Sequence, residues 1–215
     1  MKDQPLVSII LTVYNTEFIL VKRAIDSVLK QHYSNFELLV LNDGSKQELT
    51  VQIENYINEI NSGKVRYFFH ENRGFPNTLN RGIEEAKGEF IGFCDSDDEY
   101  KPNHISTCME QMDKYDLIAS TTETIVDNED EYYVPDRFDN ARNIHVDDCI
   151  ITGTLFGKAS LFKELLFKNI YSQDYELFER AKLNYKVKKL GLKTYIYYRN
   201  SVDSMCSKLK KGSNG

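Results

Sequence analysis

The chain has 215 residues, 41% of them hydrophobic, a size that supports one generous core and leaves little room for two independent ones. A formal net charge of −6 argues against nucleic acid as the main partner, because phosphate binding relies on clustered Lys and Arg; the late Lys208, Lys210 and Lys211 read as a solvated tail. No apolar run approaches the roughly 20 residues that span a bilayer, and the start, MKDQPLVSIILTVYN, lacks a secretory pattern, so a soluble chain with no transmembrane segment is expected.

VSIIL (7–11) is a continuous apolar run of buried-strand type, followed by a helix in which Phe18, Val21, Ile25, Val28 and Leu29 share a face. FELLVLN (36–42) predicts a second strand, Leu49, Ile53, Tyr56, Ile57 and Ile60 a second helix, and VRYFF (65–69) a third strand. Leu79, Ile83 and Ala86 mark a third helix ending at Gly88 as a C′ glycine, and EFIGFC (89–94) a fourth strand. Beyond residue 104 the pattern loosens. Ile105, Cys108, Met109 and Met112 suggest a helix and DLIAS (116–120) a strand, while 121–149 is polar and irregular, with DNEDE (127–131) an exposed loop. TGTLFGKA (152–159) reads as a strand, 160–168 and DYELFERAKLN (174–184) as helices, and TYIYY (194–198) as a last strand before a frayed tail.

Alternating strands and helices predict an α/β fold, a mostly parallel sheet flanked by helices, in a single domain over 1–215. Such sheets gather ligands at the carboxyl ends of their strands. Thr12, Tyr14 and Asn15 follow the first strand, Asn42, Asp43, Gly44 and Ser45 the second, and Asp95, Asp97 and Asp98 the fourth, so polar residues converge on one edge.

Side chains two apart on an extended segment point the same way, roughly 6–7 Å from each other, so Asp95 and Asp97 would face one site if extended geometry continues past the strand. Two carboxylates in one cleft raise each other's pKa unless a cation lies between them. Oxygen-only ligands favour Mg²⁺ or Mn²⁺, which complete their shells with water and substrate phosphates. The plain alternative is an acidic surface turn, and the position on the polar edge favours the cation. An EF-hand would need Gly where Tyr100 stands, and a haloacid-dehalogenase phosphatase would carry its DxD after the first strand, which leads instead to TVYN. No glycine-rich phosphate loop and no Ser/His/Asp arrangement is present. His32, His70, His104 and His145 read as surface or capping residues. The four cysteines, Cys94, Cys108, Cys149 and Cys206, are widely spaced, which predicts neither a zinc site nor a disulfide framework and fits a reducing compartment.

Taken together the segments resemble the family 2 glycosyltransferases of GT-A fold. VSIILTVYN is similar to that family's opening strand, with Thr12 where proline is common; FELLVLNDGS to its second, with Asn42 for the first of two aspartates; and ENRGFPNTLNRGIEEAKGEFIGFCDSDD to its central block, ending in the metal-binding DxD. The resemblance is dense over about 6–104. It implies a nucleotide-sugar half (1–104), an acceptor half (105–205) and a flexible tail (206–215). Thr12, Tyr14 and Asp43 would hold the base and ribose of a nucleotide, usually uridine, with Asp43 accepting from the ring N–H. Asn72 and Asn80 would line the nucleotide side, Asp95 would meet ribose or sugar, and Asp97 would bind the metal. Leu79-Asn80 stands where many relatives carry Arg-Asn, so no arginine contact is carried to Arg81.

In the second half SQDYELFERA resembles the family's Glu-Asp pair: Gln173 replaces the Glu and Asp174 keeps the catalytic base, a position that an ordinary N-cap aspartate would also fit. YYRNSVDSM is similar to a Tyr-Arg segment near the domain's end, where Arg199 or Ser204 would reach the diphosphate or simply face solvent. The resemblance therefore implies an inverting, Mn²⁺- or Mg²⁺-dependent transfer of a hexosyl or N-acetylhexosaminyl group. The donor would be a UDP-sugar and the acceptor a glycan or lipid-linked hydroxyl, in bacterial-type polysaccharide synthesis, in the cytoplasm or at the membrane's inner face through peripheral contact. A catalytically silent nucleotide-binding or partner module is the alternative, kept open by Gln173 and Leu79. A nucleotidyltransferase would need a glycine-rich loop where TVYNTEF stands.

Overall fold

The structure, a computed structural model, describes residues 4–139 and 142–200. Its elements in chain order are β1 (Val7–Val13), α1 (Phe18–Leu29), β2 (Phe36–Asp43), α2 (Gln47–Ile60), β3 (Val65–His70), α3 (Phe75–Glu85), β4 (Phe90–Asp95), β5 (Glu99–Tyr100), α4 (His104–Met109), β6 (Leu117–Ile125), β7 (Tyr133–Pro135), β8 (Asn143–His145), β9 (Leu155–Lys158), α5 (Ala159–Leu165), α6 (Gln173–Ala181) and β10 (Val187–Tyr198). Eight strands form one sheet in the order β3-β2-β1-β4-β9-β6-β10-β5, and β7 pairs with β8 apart from it.

β1 lies parallel between β2 and β4, with β3 parallel to β2. β1 and β2 are buried along their whole length, which is why they read as unbroken apolar runs rather than alternating ones. The pleat sends Ile9, Leu11 and Val13 into one cluster with Val21 and Ile25 of α1 and Ile53 of α2. It sends Ile10 to the opposite face, into a cluster with Leu39, Leu79, Ile83, Phe93 and Phe162. Phe93 meets the edges of Phe162 and Phe167 at centroid distances of 5.1 and 5.4 Å. The sheet is thus covered by helices on both faces.

Antiparallel β9 joins this half to β6, and β10 runs parallel to β6 and antiparallel to β5. The second half departs from expectation in its lengths. β6 continues to Ile125, and β10 begins at Val187 rather than 194, with a register shift between Leu190 and Tyr195 and Lys193 at φ 49°. KVKKLGLK hides a strand because it is half exposed and broken by the bulge. Thr152–Thr154 is a 3-10 turn, leaving only Leu155–Lys158 extended. The DNEDE segment is exposed save for half-buried Glu131 and enters a short 3-10 turn, Glu129–Tyr132.

Two expectations are corrected. α3 ends at Glu85 with Ala86 as its extended C-cap, so Gly88 is not a C′ glycine. A Cβ on Gly88 would lie 2.6 Å from the Ser8 nitrogen, and its bare backbone is what lets the chain close onto β1. His70 and His104 are buried rather than superficial; His104 donates or accepts at Thr194 Oγ1 over 2.8 Å, and burial pushes its pKa down to about 3. His32 is exposed and His145 accepts from the Asp147 nitrogen as an N-cap, as expected.

Glu37, in the middle of this sheet, accepts from Ser8 Oγ at 2.7 Å, the Lys87 nitrogen at 2.7 Å and Arg66 Nη1 at 3.0 Å. Burial pushes its carboxyl upward, but these donors outweigh burial and hold it below its ordinary 4.5. Its contribution to stability is therefore present above pH 4.5 and lost as pH falls through the lower folded value. Glu37→Gln is expected to cost about 1–3 kcal/mol at neutral pH, a gap from wild type that closes in acid, measured by urea unfolding across pH.

Candidate active site at the carboxyl edge

Three loops meet beyond the ends of β1, β2 and β4, and short polar side chains stitch them together. The Asn15 nitrogen donates to Ser45 Oγ at 3.0 Å, Asn15 Oδ1 accepts from the Lys46 nitrogen at 2.9 Å, and Thr16 Oγ1 meets Ser96 Oγ at 2.7 Å. Asn15 takes a left-handed φ of 53°, which asparagine tolerates better than most residues. Gly44, at φ 72°, could not carry a side chain, since a Cβ there would sit 2.5 Å from the Asn72 nitrogen. The three loops anticipated from sequence do converge.

Thr12 is buried and paired in register with Asp95, and Tyr14 projects from the β1 loop, 55% exposed. Asp95 and Asp97 are half-buried, whereas Asp98 is buried. Burial, followed by the charges of Asp97 and Asp174, pushes Asp95 up to about 7. Burial also raises Asp97, against the pull of Arg23, whose guanidinium donates to the Asp97 carbonyl and pairs with Glu99 at 3.2 Å. Asp174, in the first turn of α6 behind the N-cap Ser172, is likewise raised by burial, against bonds from the Tyr175 nitrogen at 2.8 Å and Thr152 Oγ1 at 3.3 Å. Asp95 therefore lies within reach of the charges of both Asp97 and Asp174, the latter from the opposite half of the chain; β4 ends at Asp95 and the chain turns at 96–97, so Asp97 is not brought there by a continued extended strand.

What assembles them was not legible in the sequence. Tyr195, fully buried on β10, donates to Asp98 Oδ2 at 2.7 Å and lies 3.4 Å from Asp95 Oδ2, while its hydroxyl accepts from the Asp95 nitrogen at 3.2 Å. The Tyr198 nitrogen donates to Asp98 Oδ1 at 2.9 Å. The turn 152–154 presses from the other side: Thr152 holds Asp174, and a Cβ on Gly153 would fall 2.1 Å from the Tyr195 hydroxyl. One tyrosine and one glycine turn thus link the acidic loop to α6.

Other expected residues have different neighbours. Asp43 is buried and accepts from the Arg73 nitrogen, the Gly74 nitrogen and His70. Asn72 is exposed beside it. Asn80 exchanges two bonds of 2.8 Å with the backbone of Phe167, so its amide clasps α3 to the loop after α5. Asn42, buried, donates to Thr50 and Tyr67 at 3.0 Å each and caps the Ser45 nitrogen. Arg199 is buried and donates to the Glu131 carbonyl at 2.8 Å; Ser204 and Cys206 lie outside the described residues. Two surface depressions, of about 330 and 510 Å³, open near Glu89 and Lys158 and between α1 and β5; the second includes Arg23 and Glu99, but neither is lined by Asp95, Asp97, Asp98 or Asp174. The convergent ionisable groups mark the site more directly than concavity does.

The model of the Glycosyl transferase family 2 matches residues 8–174, which takes in both the DSDD loop and Asp174. The chain belongs to that family. A Rickettsia typhi glycosyltransferase is 34% identical over 191 residues, covering 80% of this chain and 57% of its own length. WcaA of Escherichia coli, a putative colanic acid biosynthesis glycosyl transferase, is 30% identical over 86% of this chain and 69% of its own. The chain therefore spans a little over half to about two thirds of these relatives. Among solved structures, Staphylococcus aureus TarS 1–349 in complex with UDP shares the fold at TM-score 0.69 and 20% identity, over 89% of this chain and 60% of that one. The mannosyltransferase PcManGT of Pyrobaculum calidifontis, in complex with GDP-Man and Mn²⁺, does so at 0.72 and 16%, over 91% and 57%. The mixed sheet flanked by helices is accordingly the GT-A fold. No helix among the described residues is long and apolar enough to cross a membrane.

Gly153→Ala tests the linkage between this family member's two halves. The new methyl displaces Tyr195 from Asp98, and a loss of about 1–3 kcal/mol is expected, read as a lowered Tm against alanine controls at Gly63 and Gly191, where a Cβ would meet nothing within 4 Å.

Proposed function

We propose that the chain transfers a sugar, with inversion, from a UDP-linked donor to a hydroxyl of a glycan or lipid-linked acceptor in cell-surface polysaccharide synthesis, at the cytoplasmic face of the membrane. The observation that carries this reading is the convergence of the β1, β2 and β4 loops on one carboxyl edge, where Asp95 lies within reach of the charges of Asp97 and of Asp174, a residue held from the other half of the chain by Thr152.

Such a donor set suits a hard divalent cation. Among the described residues no group of three His, Cys, Asp or Glu side chains is placed to hold a metal ion, whereas Mg²⁺ or Mn²⁺ is ordinarily held by one or two carboxylates, water and substrate phosphates. Asp97 would hold it, with Asp95 beside the ribose or sugar. When bound, the ion neutralises charge on the departing nucleoside diphosphate. Thr12 and Tyr14 line the nucleotide end, and Asp43 accepts from the base. Asp174 takes the proton from the acceptor hydroxyl; its raised pKa moves it toward the range in which a general base works best near neutral pH. Thr152 and the Tyr175 nitrogen keep that carboxyl aimed.

A glycan acceptor is supported by the surface beside Asp174. Phe138, 73% exposed, stands edge-on to Tyr175 at 5.7 Å, and Arg137 lies 5.0 and 4.9 Å from the two rings. Exposed aromatic faces of this kind suit the apolar face of a sugar ring.

The test is a thermal-shift screen of nucleotide sugars with Mn²⁺, followed by transfer assays with anomeric configuration read by NMR. Asp97→Ala is expected to abolish both the metal-dependent shift and transfer. Asp174→Asn should keep the shift and lower turnover by about 10²–10⁴-fold. Metal-independent binding would remove the cation from Asp97, and donor binding without turnover in the wild type would restore the silent-module reading.

A further inference from the structure

Asp43 ends β2 on the nucleotide side, and its carboxylate is bonded in an asymmetric way. Oδ1 accepts from the Arg73 nitrogen at 2.9 Å and faces His70 Nε2 at 3.0 Å; Oδ2 accepts from the Gly74 nitrogen at 3.1 Å. His70 in turn is buried, with Thr78 Oγ1 3.1 Å from Nε2 and a guanidinium nitrogen of Arg81 against Nδ1. Arg81 is tethered there by a second bond, Nη1 to the Phe69 carbonyl at 3.2 Å.

We propose that Arg81 and His70 form a positioning pair that closes Oδ1 of Asp43 and leaves one acceptor site on Oδ2, so that the site selects a nucleobase presenting a ring N–H. The inference rests on the donor reading above and adds to it the residues that set base choice.

A guanidinium can only donate, so Nδ1 of His70 must accept from Arg81, and the ring proton of a neutral imidazole then lies on Nε2. Burial, together with the Arg81 charge, holds His70 below its ordinary 6.5 and keeps it neutral. Its Nε2–H donates to Asp43, shared with the Thr78 hydroxyl. A carboxylate offers about four lone-pair sites, two per oxygen. Oδ1 has both filled, by Arg73 and His70, and Oδ2 has one filled, by Gly74. The remaining site can take one donor and repels a lone pair. Uracil N3–H or guanine N1–H satisfies it, whereas cytosine N3 and adenine N1 present lone pairs. The Asp43 side chain is only 4% exposed, so the carboxylate cannot swing to offer its other edge without losing backbone donors. Without the histidine N–H, Oδ1 would regain an open site and the distinction between the two edges would fade.

The experiment titrates UDP and CDP into the full chain with Mn²⁺ by calorimetry, with the Tm of each variant measured alongside. Wild type is expected to favour UDP. His70→Phe should lower UDP affinity about tenfold, the worth of one hydrogen bond to a charged group, and shrink the UDP-over-CDP ratio by a similar factor. His70→Gln keeps an N–H toward Asp43 and an oxygen toward Arg81, and should stay within about threefold of wild type. If His70→Phe fails to fold, Arg81→Met, a change at a partly exposed side chain, carries the test, because freeing Nδ1 releases the tautomer. Folded variants with wild-type UDP affinity and an unchanged ratio would overturn the positioning pair alone. A wild type that binds no UDP would overturn the donor reading and this inference with it.

Discussion

Carboxylates that share a dry cleft repel one another, and the lower half of this molecule is organised around keeping Asp95, Asp97, Asp98 and Asp174 together in spite of that. Burial makes their charged forms costly; the charges of Asp97 and Asp174 raise Asp95 further, and those of Asp95 and Asp97 raise Asp98. Left to itself such a loop would swing outward into water. It is retained because Asp98, the most deeply buried of the four, is anchored at both oxygens by β10, through the Tyr195 hydroxyl and the Tyr198 nitrogen. Arg23 grips the loop from α1 through the Asp97 carbonyl and Glu99, with its guanidinium 3.7 Å from the Tyr198 ring. Asp98 is the structural acid of the group, and its confinement leaves Asp95 and Asp97 poised at the mouth.

The first half and the second half solve different problems. β1 to β4 build a rigid floor on which loops end at one edge, and the polar residues that stitch those loops use small side chains, Ser, Thr and Asn, whose short reach fixes backbone against backbone. The second half supplies Asp174 and the wall that holds it. Antiparallel β9 is the seam between the two, and the turn before it touches both Asp174 and Tyr195. Asp174 and the β1–β4 loops are thereby held to one continuous sheet and not to two bodies.

The floor was legible in the sequence because parallel strands covered on both faces leave unbroken apolar runs such as VSIIL and FELLVLN, and because ligands gather at carboxyl ends. The acidic loop was legible for the same reason. The supporting residues were not. Tyr195 sits in TYIYY among similar tyrosines, and nothing in its neighbourhood distinguishes the one that reaches Asp98, 97 positions away in sequence. His70 and His104 carry no local sign of burial, since each is satisfied by a partner on another element. Asn80 carries no local sign of the Phe167 backbone that meets both ends of its amide, 87 positions away in sequence. β10 was foreshortened because a bulge and a run of lysines interrupt its pattern.

The anchoring of Asp98 by the final strand has a bearing on synthesis. A nascent chain that has left the ribosome as far as α4 already possesses the β1–β4 floor and the whole acidic loop, yet it lacks the two tyrosines that pin that loop. Pairings across so long a stretch of chain form late, because loop closure must precede their reward. The mouth therefore takes its working shape only after β10 docks, and an incompletely made copy carries aspartates that are not yet locked in place.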